Sequence, residues 1–342
     1  MLLQMSTAPP QQSGSRRRLV VSLLLAAAGL AVLAWTFDRL DLDAADLQAG
    51  LADVGWWFAA ILLLSLLRFA LRARAWIALT GLAVPMRDAL AATISGDAIG
   101  NLTPLGLIAS EPSKALYLRR QADPSHTLAA LVAENFFYSV SVAIYVIVAA
   151  AAMFVFFDLP PAVARAGQLS LAGMAVVLAG AGWLALSQPA VASGLLARLP
   201  GSRTAGLAVE LRAFEQQIYR ATGGSGRLLW VVGTCEVGFH LLSLVECWLT
   251  FWLLAGETSL LPALVFDGFN RVANVVFKAI PLRVGVEEGG TALLAAAIGL
   301  AAHDGFMLGI VRKIRMIVWA AVGLLLAARR GAGSARPSPT GA

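Results

Sequence analysis

The residues of this chain that could do chemistry are ionisable side chains set within apolar stretches: Arg68, Arg72, Glu111, Lys114, Glu134, Glu236, His240, Glu246, Asp267, Arg271, Lys278, Arg283, Glu287 and Glu288. Each costs roughly 2.5–3.5 kcal/mol at the centre of a membrane helix, so a chain keeps it where it faces a cavity or a partner. Arg68 and Arg72 are four apart and share one helix face. Two guanidinium groups there could clamp a phosphate anion through planar forks of donors, or could snorkel to headgroups at the membrane surface. Asp267 and Arg271 have the same spacing and read as an intramembrane ion pair. Asn101, Asn270 and Asn274 add polar groups nearby, and Lys278 and Arg283 add positive charge. Such a mixture suits a pocket for an anionic headgroup, or alternatively a polar network that locks a broken helix.

The acidic residues carry a second set of alternatives. Glu111, Glu287 and Glu288 follow prolines at expected helix starts, where carboxylates cap free backbone N–H groups. Capping is the better reading for Glu287, while Glu111 or Glu288 could couple movement to a proton gradient. Glu236 and His240 share a face; with no further ligand at a recognisable spacing, helix-to-helix hydrogen bonding explains them better than a metal does. Glu134 with Asn135 lies inside a long apolar run, and His303-Asp304 reads as a polar turn.

The elements that must hold these groups are membrane helices. The chain has 342 residues, of which 59% are hydrophobic and 13% charged, and its mean hydropathy is +0.77. Soluble domains carry about 45–50% apolar and about 25% charged residues. The net charge of +6 is clustered beside apolar runs, which reads as membrane orientation and not as a nucleic-acid surface. Cys235 and Cys247 lie twelve apart on one helix and cannot bridge. No P-loop string is present, and no cofactor is expected.

Apolar runs fall at about 19–37, 56–79, 127–157, 167–187, 227–255, 289–302 and 305–328. The first follows Arg16-Arg17-Arg18 and is long enough to be a retained span with a cytoplasmic N-terminus. Residues 1–18 and 331–342 have the composition of disordered ends. The stretch 188–226 is basic and therefore cytoplasmic, with Leu207, Leu211, Phe214 and Ile218 marking an amphipathic helix.

Two stretches, about 85–120 and 260–291, are apolar yet broken by Gly, Pro and charge. Irregular backbone at membrane depth must be buried in protein or line a wet cavity, so both read as re-entrant helix pairs. They echo each other: Pro104-Leu105 and Pro281-Leu282 are each followed by a glutamate seven residues after the proline, Glu111 and Glu288. Approached from opposite sides, the two stretches form an inverted repeat with a substrate site near the midplane. The expected fold is an all-α polytopic bundle of about seven or eight transmembrane helices; the side of the C-terminus stays open.

These residues also resemble a known family. The Arg68, Arg72, Arg74 and Trp76 cluster, the segment GDAIGNLTPLGLIASEPSKALYLRR, the segment VAENFFYS and the C-terminal IPLRVGVEEGG are similar to the lysylphosphatidylglycerol synthase transmembrane region, a flippase-like membrane family. The likeness runs from about residue 19 to 328. It implies a bacterial inner-membrane protein that moves or presents lipids. The chain closes soon after Arg330, so the synthase activity is not expected of it.

The expected function is therefore movement of a lipid with a polar or anionic headgroup, without catalysis. Arg68, Arg72, Asn101, Glu111, Lys114, Glu134, Asn135, Asp267, Arg271, Asn274, Lys278, Arg283 and Glu288 are the expected headgroup site. The expected partners are membrane lipids; a partner enzyme of lipid synthesis and a homo-oligomer stay open. The alternatives are an intramembrane lipid-modifying enzyme or a non-transporting accessory subunit.

Overall fold

The computed structural model describes residues 31, 34–36, 38–40, 44–103, 106–198, 202–256, 258–277 and 280–334. The expected first span at 19–37 lies almost wholly outside them, as do the ends 1–18 and 335–342. The described residues form α-helices and short 3-10 turns, with no strand among them.

Helix α1 (Ala44–Val54) runs through a 3-10 turn (Gly55–Trp57) into α2 (Phe58–Thr80). Then come α3 (Met86–Leu102), α4 (Gly106–Tyr117), α5 (Pro124–Phe156), α6 (Pro161–Ser187), α7 (Val191–Ala197) and α8 (Ser202–Thr222). The chain continues through α9 (Gly226–Ala255), α10 (Leu260–Val276), a 3-10 turn (Pro281–Arg283), α11 (Val286–Ala297) and α12 (Ala302–Ser334). The unbroken stretch Ala45–Thr80 and the helices α5, α6 and α9 are long and apolar enough to cross a membrane. At 33 residues α12 is as long as α5, but Arg312, Lys313 and Arg315 interrupt its apolar run.

The chain folds as two similar halves. In the first, a 17-residue helix (α3) and a 12-residue helix (α4) precede a 33-residue helix (α5). In the second, α10, α11 and α12 have the same lengths in the same order: 17, 12 and 33 residues. The packing is exchanged between halves, α3 lying on α12 and α10 lying on α5, while α2 packs on α9. The stretch 289–302, apolar enough to read as a separate run, is instead the second limb of this pair. A 12-residue helix reaches only ~18 Å, well short of a ~30 Å hydrocarbon layer.

Both short pairs are hairpins, and they enter from opposite ends of the bundle. Val84 and Ala89 at the start of the first pair share a cluster with Leu118 at its finish. Ala263 and Val265 at the start of the second pair share a cluster with Leu294 and Ile298 at its finish, beside Phe154 of α5 and Phe251 of α9. Those residues lie at the end of the bundle that holds α1; the first pair opens at the other end, where Leu79, Ala130 and Val232 pack with Ile218 of α8. The breaks meet between the two ends, where Arg283 Nη1 donates to Asn101 Oδ1 at 3.4 Å. In the second break, Leu282 (φ 53°) and Arg283 (φ 48°) adopt the left-handed region that non-glycine residues seldom occupy. Gly285, at φ 80°, completes the turn into α11.

Helix α12 approaches both pairs closely because it carries glycine at the contacts. A Cβ at Gly305 would come within 2.4 Å of the Thr291 carbonyl oxygen, and one at Gly309 within 2.7 Å of Glu288 Cα. This small-xxx-small spacing lets two helix backbones touch. Gly309→Ala is therefore expected to cost about 1–3 kcal/mol by overpacking, read as a lower melting temperature in detergent.

Outside the bundle, the expected amphipathic helix is α8, whose Glu215 closes the start of α7. Its Oε1 accepts from Ala192 N at 2.7 Å, and its Oε2 accepts from Ser193 Oγ at 2.5 Å. Burial, the largest influence, pushes this carboxyl up, but the donors from Ser193, Ala192 and Arg212 together bring it below its ordinary value. A folded pKa below the unfolded one lends stability that is present above the unfolded value of about 4.3 and is lost as pH falls through the folded value. The protection factors of the Ala192 and Ser193 amides, which correct for the slower intrinsic exchange in acid, are expected to fall as pH is lowered below about 4.

Candidate functional site

Arginines placed at helical spacing along α2, α10 and α12 converge on one space between the two breaks. The cavity has a volume of about 270 Å³. Among the described residues, seven cationic side chains line it: Arg68, Arg72, Lys114, Arg271, Arg283, Arg312 and Arg315. Only three acidic ones do, Asp97, Glu111 and Glu287.

Carboxylates standing behind the arginines explain how so many cations stay buried together. Arg72 donates through Nε and Nη2 to the two oxygens of Glu134, at 2.8 and 2.7 Å. Arg68 Nη1 donates to Glu246 at 3.0 Å, and Arg315 donates to the other oxygen of the same carboxylate. Arg271 Nη2 donates to Asp267 at 3.0 Å, while Arg312 lies 3.5 Å from the second oxygen of that group. Glu134, Glu246 and Asp267 are absent from the cavity wall, so they neutralise from the rear and leave guanidinium edges in front. Pairing of this kind offsets the desolvation of each charge, which an unpaired buried ion could not survive.

Several buried side-chain atoms of the wall residues have no hydrogen-bond partner among the described residues. The donors are Arg68 Nε, Arg271 Nε, Arg312 Nη1 and Trp319 Nε1; the acceptors are Glu111 Oε2, Asn270 Oδ1 and Asn274 Oδ1. Native interiors rarely leave such groups unmatched. Cationic N–H donors around a small wet space are the chemistry that binds phosphate oxygens, and the amide and carboxylate acceptors suit hydroxyl or ammonium groups on the same ligand. Aromatic faces fix the arginine planes: Arg72 sits 4.4 Å over Tyr138, and Arg68 and Arg271 lie 4.7 and 5.0 Å over Phe239.

The sequence-predicted residues fall into four groups. Arg68, Arg72, Asn101, Glu111, Lys114, Asn135, Arg271, Asn274 and Arg283 line the cavity. Glu134 and Asp267 stand behind it. Glu288 accepts from Gly285 N at 2.9 Å and lies 3.5 Å from Lys313, outside the wall. Lys278 lies outside the described residues.

Two expectations about the acids are corrected. Capping of α11 falls to Glu288, whereas Glu287 pairs with Arg283 at 2.9 Å and Lys313 at 3.1 Å. The turn at Gly285 aims one of the two adjacent carboxylates at the helix end and the other across the cavity. Glu111, unlike Glu287 and Glu288, is not at a helix start, because α4 already begins at Gly106; it pairs with Lys114 at 2.8 Å. Gly96 makes room for that lysine, since a Cβ there would come within 2.4 Å of Lys114 Cγ.

Arg312 and Arg315 were not among the expected site residues, nor was Asp97. The signal for the first two was present: three cations fall within four residues of an otherwise apolar run, Arg312-Lys313-Ile314-Arg315. Glu236 and His240 both bond to Ser141 of α5, at 2.9 and 3.0 Å, a helix-to-helix contact.

The family model for the lysylphosphatidylglycerol synthase TM region matches residues 19–324. The chain belongs to this family. Searches of curated proteins and of solved structures find no match. As a lysylphosphatidylglycerol synthase TM region protein it is membrane-embedded and all-helical, and the polar cavity lies inside its matched part.

Proposed function

We propose that this protein moves a lipid with an anionic headgroup across the bacterial cytoplasmic membrane, the headgroup passing through the arginine-lined cavity while the acyl chains stay in the bilayer. The observation that carries this reading is the set of rear-paired arginines around one cavity, with N–H groups that have no acceptor among the described residues. A volume of about 270 Å³ lies just below the range of small-molecule sites, which runs roughly 300–1,000 Å³. It suits one headgroup and not a whole lipid. Two hairpins entering from opposite ends leave the breaks at the middle, where an inverted repeat places its substrate.

Charge orients the bundle. The α8 end carries Arg119, Arg120, Arg198, Arg212, Arg220 and Arg227, whereas Asp46, Asp53, Asp158 and Asp304 mark the other. The α8 end is cytoplasmic on this rule. The C-terminal end of α12 is then cytoplasmic as well, because Arg330 Nε donates to the Tyr117 carbonyl at 3.2 Å at the same end. A partner enzyme that makes the lipid would meet the protein at this face.

The test is reconstitution into vesicles carrying fluorescent phosphatidylglycerol or phosphatidylcholine in one leaflet. Wild type is expected to equilibrate the anionic lipid faster than the zwitterionic one, and Arg68→Ala to slow it. Vesicles no faster than protein-free controls for any labelled lipid would overturn the reading.

A second reading is an intramembrane lipid-modifying enzyme, favoured by the 3.0 Å contact between Ser141 Oγ and His240 Nε2. Against it, the carboxylate bonds the serine instead of orienting the imidazole, and Ser141 is not on the cavity wall. A changed lipid in the vesicles, lost with Ser141→Ala, would favour that reading.

A further inference from the structure

Among the buried carboxyl groups of the helical bundle, one differs from the rest. Glu111, Glu134, Glu246, Asp267, Glu287 and Glu288 each have a lysine or arginine nitrogen within 3.5 Å. Glu236 is as buried as they are, at 5% exposure, and has no cationic partner among the described residues. Among the described residues its one hydrogen bond comes from Ser141 Oγ, at 2.9 Å. A carboxylate buried without a counter-charge is costly, and the usual remedy is uptake of a proton.

A relay leads away from it. Ser141 Oγ is also 3.0 Å from His240 Nε2, and His240 Nδ1, buried, has no partner among the described residues. The imidazole is stacked parallel to Tyr145 at 4.8 Å and to Tyr138 at 6.5 Å. Tyr138 belongs to the cavity wall, and its hydroxyl accepts from Arg271 Nη1 at 3.4 Å.

We infer that Glu236, relayed through Ser141 to His240, is a proton-binding site that couples proton movement to passage of the anionic headgroup. This rests on the transport reading and adds its energy source. In the transfer step, Glu236 gives its carboxyl proton to Ser141 Oγ as the serine hydroxyl proton passes to Nε2 of His240 in the Nδ1–H tautomer. Glu236 is left a carboxylate and His240 an imidazolium, which gives its Nδ1 proton to water and becomes the neutral Nε2–H tautomer; proton exchange of the ring nitrogens with water then restores the Nδ1–H form. The serine ends as it began, and no oxidant or cofactor is needed.

Charge links the proton to the cavity. The groups whose charge bears on Glu236 are Arg72 from α2, Glu134 from α5 and Arg271 from α10, together with His240 on its own helix. Helices α12 and α1 reach α9 further along, through Arg315 on Glu246 and through Val54 in the cluster with Leu249. Ionised Glu236 draws on Arg72 and Arg271 and lowers the positive potential they present to the cavity. Protonated Glu236 restores it. Headgroup binding must therefore favour proton binding by the same factor that protonation favours the headgroup. Moving one negative charge together with one proton is also electroneutral, so the membrane potential does not oppose the passage.

The experiment imposes a pH difference across vesicles that hold the protein and fluorescent phosphatidylglycerol. At equilibrium the label is expected to gather in the leaflet on the alkaline side, by up to ~10-fold per pH unit for one proton per lipid. Glu236→Gln, which keeps a hydrogen-bonding oxygen for Ser141, is expected to abolish the asymmetry. If Glu236→Gln does not assemble, Ser141→Ala tests the relay instead, with the same loss expected. A wild type that equilibrates the lipid but ignores the gradient overturns the coupling and leaves the transport reading standing. So does a variant that responds as wild type does. No movement at any pH overturns both.

Discussion

Replacing Glu246 by alanine is expected to destabilise the protein by about 3–5 kcal/mol, the scale for breaking a buried ion pair from one side. The residue sits about two-thirds of the way along α9 and is 3% exposed. It accepts from Arg68 and Ser65 on α2 and from Arg315 on α12. Alanine would leave two guanidinium groups without their counter-charge, and neither arginine has another carboxylate within salt-bridge distance among the described residues. Glu246→Gln keeps one acceptor oxygen, loses the charge and sets an amide NH2 against one of the arginines, so it is expected to fall between alanine and wild type. The measurement is a denaturation midpoint in mild detergent. A loss below about 1 kcal/mol for alanine would mean that water reaches these arginines and that the rear carboxylates do not hold the cavity together. Replacing Glu246, Arg68 and Arg315 together with apolar residues of similar size is expected to recover stability, since an apolar cluster often matches or exceeds a buried ion group. That triple variant would fold without two of the seven cations on the cavity wall, which separates what the carboxylate does for stability from what these two arginines do for a ligand.

Much of this cavity could be read from short-range patterns. Arg68 with Arg72, and Asp267 with Arg271, announce a shared face because residues four apart on a helix are neighbours. The breaks were legible because Gly, Pro and charge inside apolar stretches have few physical explanations at membrane depth. The pairings across the fold were not legible. Arg72 and Glu134 are 62 residues apart, and Arg68 and Glu246 are 178 apart. Nothing local chooses among the acids; helix packing does. Arg312 and Arg315 escaped for a different reason. A hydropathy reading averages over a window, and the apolar residues around them dominate it. Their role follows from packing across the fold, which brings Arg312 to Asp267 of α10, Arg315 to Glu246 of α9 and Lys313 to the second break at Leu282 and Glu287. Glu287 and Glu288 show the limit of spacing rules. Adjacent residues on a helix point about 100° apart, and the left-handed backbone at Leu282, Arg283 and Gly285 decides which of them faces the helix end.

Arg271→Ala is expected to leave a folded protein that moves anionic lipid about 10- to 100-fold more slowly at limiting lipid. The fold survives because Asp267 keeps two donors, Ser243 Oγ at 2.9 Å and Arg312 at 3.5 Å. What disappears is a positive charge on the cavity wall and an Nε–H that has no acceptor among the described residues. A hydrogen bond to a charged group contributes about 1.5–3 kcal/mol, which is roughly a ten- to hundredfold change in affinity. Arg271→Lys separates charge from shape. Lysine can hold Asp267 or face the cavity, but its single ammonium lacks the planar fork needed to do both. It is expected to assemble like wild type and still transport slowly. The preference for phosphatidylglycerol over phosphatidylcholine should narrow in the alanine variant, because the charge that discriminates them is reduced. Size-exclusion profiles and melting temperatures recorded beside the vesicle assay distinguish a lost site from a lost fold. A well-folded Arg271→Ala protein that moves phosphatidylglycerol at the wild-type rate would place the headgroup path outside this cavity.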